Sequence, residues 1–264
     1  TVFAHSGGTA ALGVSLHIHN GYLYACFGTT GAYAYTANGT TWTESTRGGV
    51  DQQATEFATL RGILHKRLGQ NHYQLTAASS TGINGGETWS SADQIGDSSN
   101  PLGRMMPLQD ALFFSSQSGL LHLDGEGNVL DILPGLTSKA VEAAAAVWLN
   151  NAALVPLADG GMKIYQGGEA IGVSPGSQVV RDIITPTPSL NTAFTMIRCL
   201  GDFAYGVQIS GSSSNILEME QIAPGKFMWR NIVRFTARTV LGVIVGYSAL
   251  TGPILLMPAT TTTP

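Results

Sequence analysis

Residues able to do acid–base, nucleophilic or metal chemistry are few in this 264-residue chain and widely spread. His17 and His19 stand two positions apart, so on a strand they share one face. Two imidazoles at that spacing begin a metal site, but zinc-type sites take three or four ligands. Cys26 falls on the next strand and no third ligand lies close by, so ordinary strand side chains are expected and no metal. His5, His65, His72 and His122 are scattered along the chain. Glu218 and Glu220 would share one face of a strand, and a carboxylate pair is what glycosidic hydrolysis uses, at about 5–10 Å. A solvated strand face is the expectation for both. Asp124-Gly125-Glu126-Gly127-Asn128 starts like a calcium loop, but Gly135 stands where the closing bidentate Glu belongs. It reads as a hairpin turn. Cys26 and Cys199 are too few for a disulfide scaffold and are expected as two buried thiols. A phosphate loop and H-E-x-x-H are both absent from the sequence. No catalytic residue and no cofactor are therefore assigned.

Composition narrows the classes further. Charged residues make up 11% of the chain and hydrophobic ones 44%. Disorder needs the opposite balance. A net charge of -4 gives no basic footprint, so nucleic acid is not an expected partner. Only four residues are Lys, and Ser, Thr, Asn, Gln and Gly do the polar work. Such a surface suits an extracellular protein or a subunit inside a larger assembly. The first eight residues have no basic region and no long apolar core, so a signal peptide is not expected. From Thr239 to Pro264 there is no charge, and Val240–Met257 is apolar enough to suggest a membrane span. Gly252-Pro253 bisects the run and its residues are β-branched, so two strands around a turn are expected instead.

The elements that must position these side chains are short strands. Helix signals are nearly absent, and the Ala-rich Ser138–Leu149 continues into an Asn150-Asn151 turn that suits a hairpin equally. One unit recurs: strand, tight turn, strand. Its turns fall near positions 20, 70, 110, 150, 201 and 250, in steps of 40 to 51 residues. A four-stranded propeller blade takes about 40–50. The first five units each carry a second turn, such as Ala37-Asn38-Gly39-Thr40, Asn84-Gly85-Gly86 and Pro224-Gly225. Asn-Gly pairs suit tight hairpins because both central positions take positive φ. The expectation is an all-β fold: one β-propeller domain over 1–264 with a Thr/Pro tail at 259–264. Six four-stranded blades are favoured over five or seven, with Val2–Ala4 joining the last blade to close the ring and remove an exposed edge.

Two of the turns carry a more specific pattern. Gly82-Ile83-Asn84-Gly85-Gly86-Glu87-Thr88-Trp89 resembles the Asp-box, or BNR, repeat S-x-D-x-G-x-T-W, with Asn84 for Asp and with Gly86, Thr88 and Trp89 matching. Tyr35–Trp42 is a weaker copy, in which Gly39, Thr41 and Trp42 align, Ala37 replaces the Asp and Asn38 follows it. In this family the acid or amide ties the hairpin, Gly supplies a left-handed residue and Trp packs between sheets. Asp-box repeats occur in sialidases, in glycan-binding propellers, in sorting receptors and in phage virion proteins, and they imply fold more than activity. Sialidases bring three arginines, a Tyr–Glu pair, an acid/base Asp and an Arg-Ile-Pro motif. That motif is missing here, and Arg198, Arg230, Arg234 and Arg238 sit in no recognisable frame.

The expectation is thus a non-enzymatic binding or assembly propeller. The resemblance points to a tailed-phage virion component (tail, fibre or capsid surface) that contacts other subunits or a host surface. The alternative is a secreted propeller that binds or cleaves cell-surface glycan.

Overall fold

The structure is a computed structural model. It describes residues 15–46, 48–77, 87–108, 111–116, 119–123, 127–131, 146–148, 152–156, 162–166, 169–172, 179–182, 194–200, 202–210, 213–223, 226–236, 238, 240, 244–248 and 252–256. Val2–Ala4, Asn84, Gly86 and the turn at 124–126 lie outside them.

Strands alternate with turns throughout, as the punctuation by Gly, Asn and Asp dictates. The first sheet runs β1 (Ser15–His19), β2 (Tyr22–Cys26), β3 (Ala34–Thr36) and β4 (Thr43–Glu44), in that order. The second runs β5 (Glu56–Leu60), β6 (Ile63–Leu68), β7 (Asn71–Ala77) and β8 (Thr88–Trp89), and β9 (Asp93–Gln94) also pairs with β7. The third holds β10 (Leu102–Leu108), β11 (Ala111–Ser116), β12 (Leu120–Leu123) and β13 (Val129–Asp131). The fourth holds β14 (Ala146–Trp148), β15 (Ala152–Pro156), β16 (Met162–Gln166) and β17 (Glu169–Gly172). The fifth comprises β18 (Val179–Asp182), β19 (Phe194–Leu200), β20 (Phe203–Ser210), β21 (Ser213–Ala223) and β22 (Lys226–Phe235). The sixth is the antiparallel pair β23 (Ile244–Ser248) and β24 (Gly252–Leu256). The apolar C-terminal run is therefore a hairpin. Among the described residues no helix is long and apolar enough to cross a membrane.

Two details depart from the regular unit. The turn near position 70 joins β6 to β7, so it is the second turn of its sheet. The first is Arg61-Gly62, whose φ values of 51° and 77° match the 47° and 79° of Asn20-Gly21. Both pairs hold the left-handed conformation that two-residue hairpins need, although Arg lacks the usual Asn signal. The fifth sheet has five strands, because β18 adds parallel to β22, Val179 beside Met228.

The chain divides into two compact units, one of Thr1–Phe113 with His122–Leu130, the other of Phe114–Leu121 with Asp131–Pro264. In the first, Tyr24, Cys26, Tyr33 and Tyr35 of the first sheet pack on Phe57, Leu64, Tyr73 and Trp89 of the second. The Phe57 ring meets Tyr24 at 5.0 Å and stands edge-on to Tyr33 at 5.1 Å. In the second, Ala152, Leu154 and Ile164 pack against Phe194, Ile197, Leu217, Met219 and Trp229. The opposite face of that fifth sheet buries Tyr205, Val207 and Ile216 with Val240.

Candidate functional site

Chemically capable side chains of the first unit face inward and bind one another. Alternation on β1 turns Ser15, His17 and His19 toward β5, while Leu16 and Ile18 point away. Ser15 Oγ donates to the Thr55 carbonyl at 3.0 Å. His17 Nε2 and His19 Nδ1 both bond Thr59 Oγ1, at 2.8 and 2.9 Å. One nitrogen of each ring is thus engaged with a hydroxyl, and no group of three or more metal ligands forms among the described residues. Burial, then the neighbouring His19, holds the His17 imidazole down to about 4.

His65 and His72, distant in function by sequence alone, come together on the other side of β6 and β7. His65 Nδ1 lies 2.9 Å from His72 Nε2, and His72 Nδ1 lies 3.1 Å from Asp93 Oδ2. Beside them Glu56, buried, accepts from Arg104 Nε at 2.9 Å and from the Met105 N–H at 2.9 Å, with Arg67 Nε at 3.6 Å. Arg67 also donates to the Gly103 and Gly69 carbonyls. Lys66, fully buried, donates to the Val50 and Asp51 carbonyls at 2.8 and 3.0 Å and lies over the Tyr73 and Trp89 rings. Those carbonyls belong to a short 3-10 turn, Gly49–Gln52, so the ammonium fastens that turn to the core. Burial lowers the Lys66 amine to about 8. Cys26 and Cys199 are free thiols, each pushed up to about 12 by burial, and neither is a ready nucleophile.

In the second unit, register sets Arg198 beside Tyr205, Tyr205 beside Glu218 and Glu218 beside Arg230. Glu218 pairs with Arg230, and Tyr205 hydrogen-bonds Glu218. Burial and that carboxylate push the Tyr205 phenol up to about 12. The solvated-face expectation fails for Glu218, which is buried in this row. Across-sheet register, which spacing along one strand does not reveal, produces the pairing.

The Asp-box-like turns do structural work where they are described. Asn38 Oδ1 accepts from the Thr40 and Thr41 N–H groups at 2.9 and 2.8 Å, and Gly39 follows at φ 73°. The tie comes from Asn38 itself, one position after Ala37. Trp42 packs on Ala25, Phe27 and Ala34. Thr88 is exposed, and Trp89 stacks on Phe57 at 6.0 Å.

Two of the side chains presented outward are large and apolar. Leu16 and Ile18 are 65% and 71% exposed, on a strand whose other face is anchored to β5. Isolated exposed apolar residues are common, but two on one face of one anchored strand form a stripe.

No family model matches the chain, and no curated protein does. Solved structures do. One is a chain from a S. cerevisiae complex of Dbp5 bound to Nup159, Gle1, IP6 and ADP, at 11% identity and TM-score 0.54, covering 98% of this chain and 74% of that one. Another is streptogramin B lyase, at 12% identity and TM-score 0.55, covering 85% and 72%. A third is the N-terminal domain of Nup159, at 12% identity and TM-score 0.52, covering 94% and 71%. With its succession of antiparallel sheets, this likeness makes the chain an all-β protein of the β-propeller fold.

Proposed function

We propose that this propeller is a binding and assembly module without chemistry of its own, and that it serves as a structural component of a tailed-phage virion. It contacts neighbouring protein subunits or a host surface. The observation that carries this reading is the Leu16–Ile18 stripe, 65% and 71% exposed on a strand fixed from behind by Ser15, His17 and His19. Scarce charge supports it, because interface cores are depleted of Lys, Glu and Asp. The engagement of Glu56, Lys66, His65 and His72 in internal contacts supports it too. The virion context rests on the Asp-box-like turns at Asn38–Trp42 and Asn84–Trp89. Fold alone does not choose, since the structural neighbours include a chain bound in a protein complex and a lyase.

The test is a Leu16→Asp, Ile18→Asp double variant scored for incorporation into native particles. Both sites are exposed, so the thermal midpoint should move by less than about 2 °C. Loss of incorporation is expected, and wild-type incorporation contradicts the reading.

The Arg198–Tyr205–Glu218–Arg230 row favours a second reading, a secreted glycan-binding or glycan-cleaving propeller. Saccharide release abolished by Tyr205→Phe would establish that reading in place of the first.

A further inference from the structure

Four imidazoles of the first unit form two pairs, and each pair reaches a side chain on another strand, Thr59 of β5 or Asp93 of β9. We propose that His17–His19 and His65–His72 act as an acid-released latch, holding β1 to β5 and β9 to β7 at neutral pH and letting both go on acidification.

Proton counting carries the argument. His72 Nδ1–H donates a hydrogen bond to Asp93 Oδ2 at 3.1 Å, and its Nε2 then accepts from His65 Nδ1–H at 2.9 Å. The rings are stacked, 5.2 Å apart at 23°. A first added proton is tolerated: His72 carries it between Asp93 and a His65 turned acceptor. A second sets two N–H donors against each other, and the contact fails.

In the other pair one Thr59 hydroxyl, with one proton and two lone pairs, can accept from one imidazole while it donates to the other. Protonating the ring that accepts ends that donation, leaves Thr59 an acceptor from both rings and puts a cation beside a second, partly buried imidazole.

The charged and titratable groups facing these rings offset the change only in part, because burial outweighs Glu56 at His17 and Asp93 at His72. Tyr24 on β2 lies 6.5 Å from His19 between ring centres, and burial keeps it neutral. Glu56 on β5, the carboxylate that His17 feels, is already held by Arg104 and Arg67. Arg67 on β6 shares a register position with His72 and adds positive charge. His65 feels both His72 and His19, so the two pairs oppose each other's protonation. Asp93 on β9 is the remaining carboxylate, and it already accepts the His72 hydrogen bond.

Burial holds His17 and His65 at about 4 and puts His19 and His72 below the ordinary value of 6.5. Each ring therefore binds its proton more readily once released. Stability is fully present above about pH 6.5, and it is lost as pH falls through the folded-state values toward about 4.

Hydrogen exchange on the full chain, between about pH 7.5 and about pH 4 and corrected for intrinsic rates, tests this. Protection in β1, β5, β6 and β7 should fall about tenfold more than in β20–β22. In a His17→Gln, His65→Gln variant that excess should shrink to less than about twofold. An equal fall in all sheets, or an undiminished excess in the variant, overturns the latch. Should the variant not fold, NMR titration of the wild-type rings decides. Titration of His17 and His65 below about pH 5 supports the latch, and titration near about 6.5 overturns it.

Discussion

At the scale of single residues, the side chains that look reactive act as ties. Asn38 is the plainest case, since its Oδ1 collects two backbone N–H groups of its own turn. Asn38→Ala should cost about 1 kcal/mol in urea unfolding, with little change elsewhere because the turn is exposed. Arg61 tells the opposite story. It occupies a left-handed position at φ 51°, which Asn tolerates better than other residues with a Cβ because its short amide bonds the local backbone, so Arg61→Asn should raise stability by about 0.5–1 kcal/mol in the same assay. The His17/His19 shared face was legible from spacing alone. The His65–His72 contact was not, because it is diagonal across a hairpin. His65 pairs with Gln74 and Arg67 with His72, and only that register brings the two rings together. The Tyr205–Glu218–Arg230 row was hidden for the same reason.

At the scale of elements, packing between sheets sets the larger energies. Glu56 of β5 sits between Arg67 of β6 and Arg104 of β10, nearly out of solvent. Glu56→Gln leaves two guanidiniums without their anion and should cost about 3 kcal/mol, whereas Glu220→Gln at a half-exposed site should stay within about 0.5 kcal/mol. Denaturant melts of the two variants check the contrast. Gly206 of β20 has the Phe194 ring where a Cβ would stand, so Gly206→Ala should cost about 2 kcal/mol or more through displaced packing. Most strands were legible because Gly, Asn and Asp punctuate them. The parallel addition of β18 and the 3-10 turn at Gly49–Gln52 were not. One depends on a long-range partner, and the other is four residues long, too short for any periodic signal.

At the scale of the whole molecule, repeated hairpins at near-constant spacing gave the propeller class, and the solved structures share it at 11–12% identity. Function was less legible, because an exposed apolar stripe such as Leu16–Ile18 differs from a core strand only in what covers it. Alternation on β1 announces two faces, and sequence alone does not say which one stays open. The direct measurement is cryo-electron microscopy of the virion in which we propose that the chain is built. The account predicts a neighbouring protein subunit seated on Leu16 and Ile18, with Tyr205 and Glu218 still paired inside their sheet. Leu16 and Ile18 open to solvent, with a saccharide bound against Tyr205, Glu218 and Arg230, would contradict it.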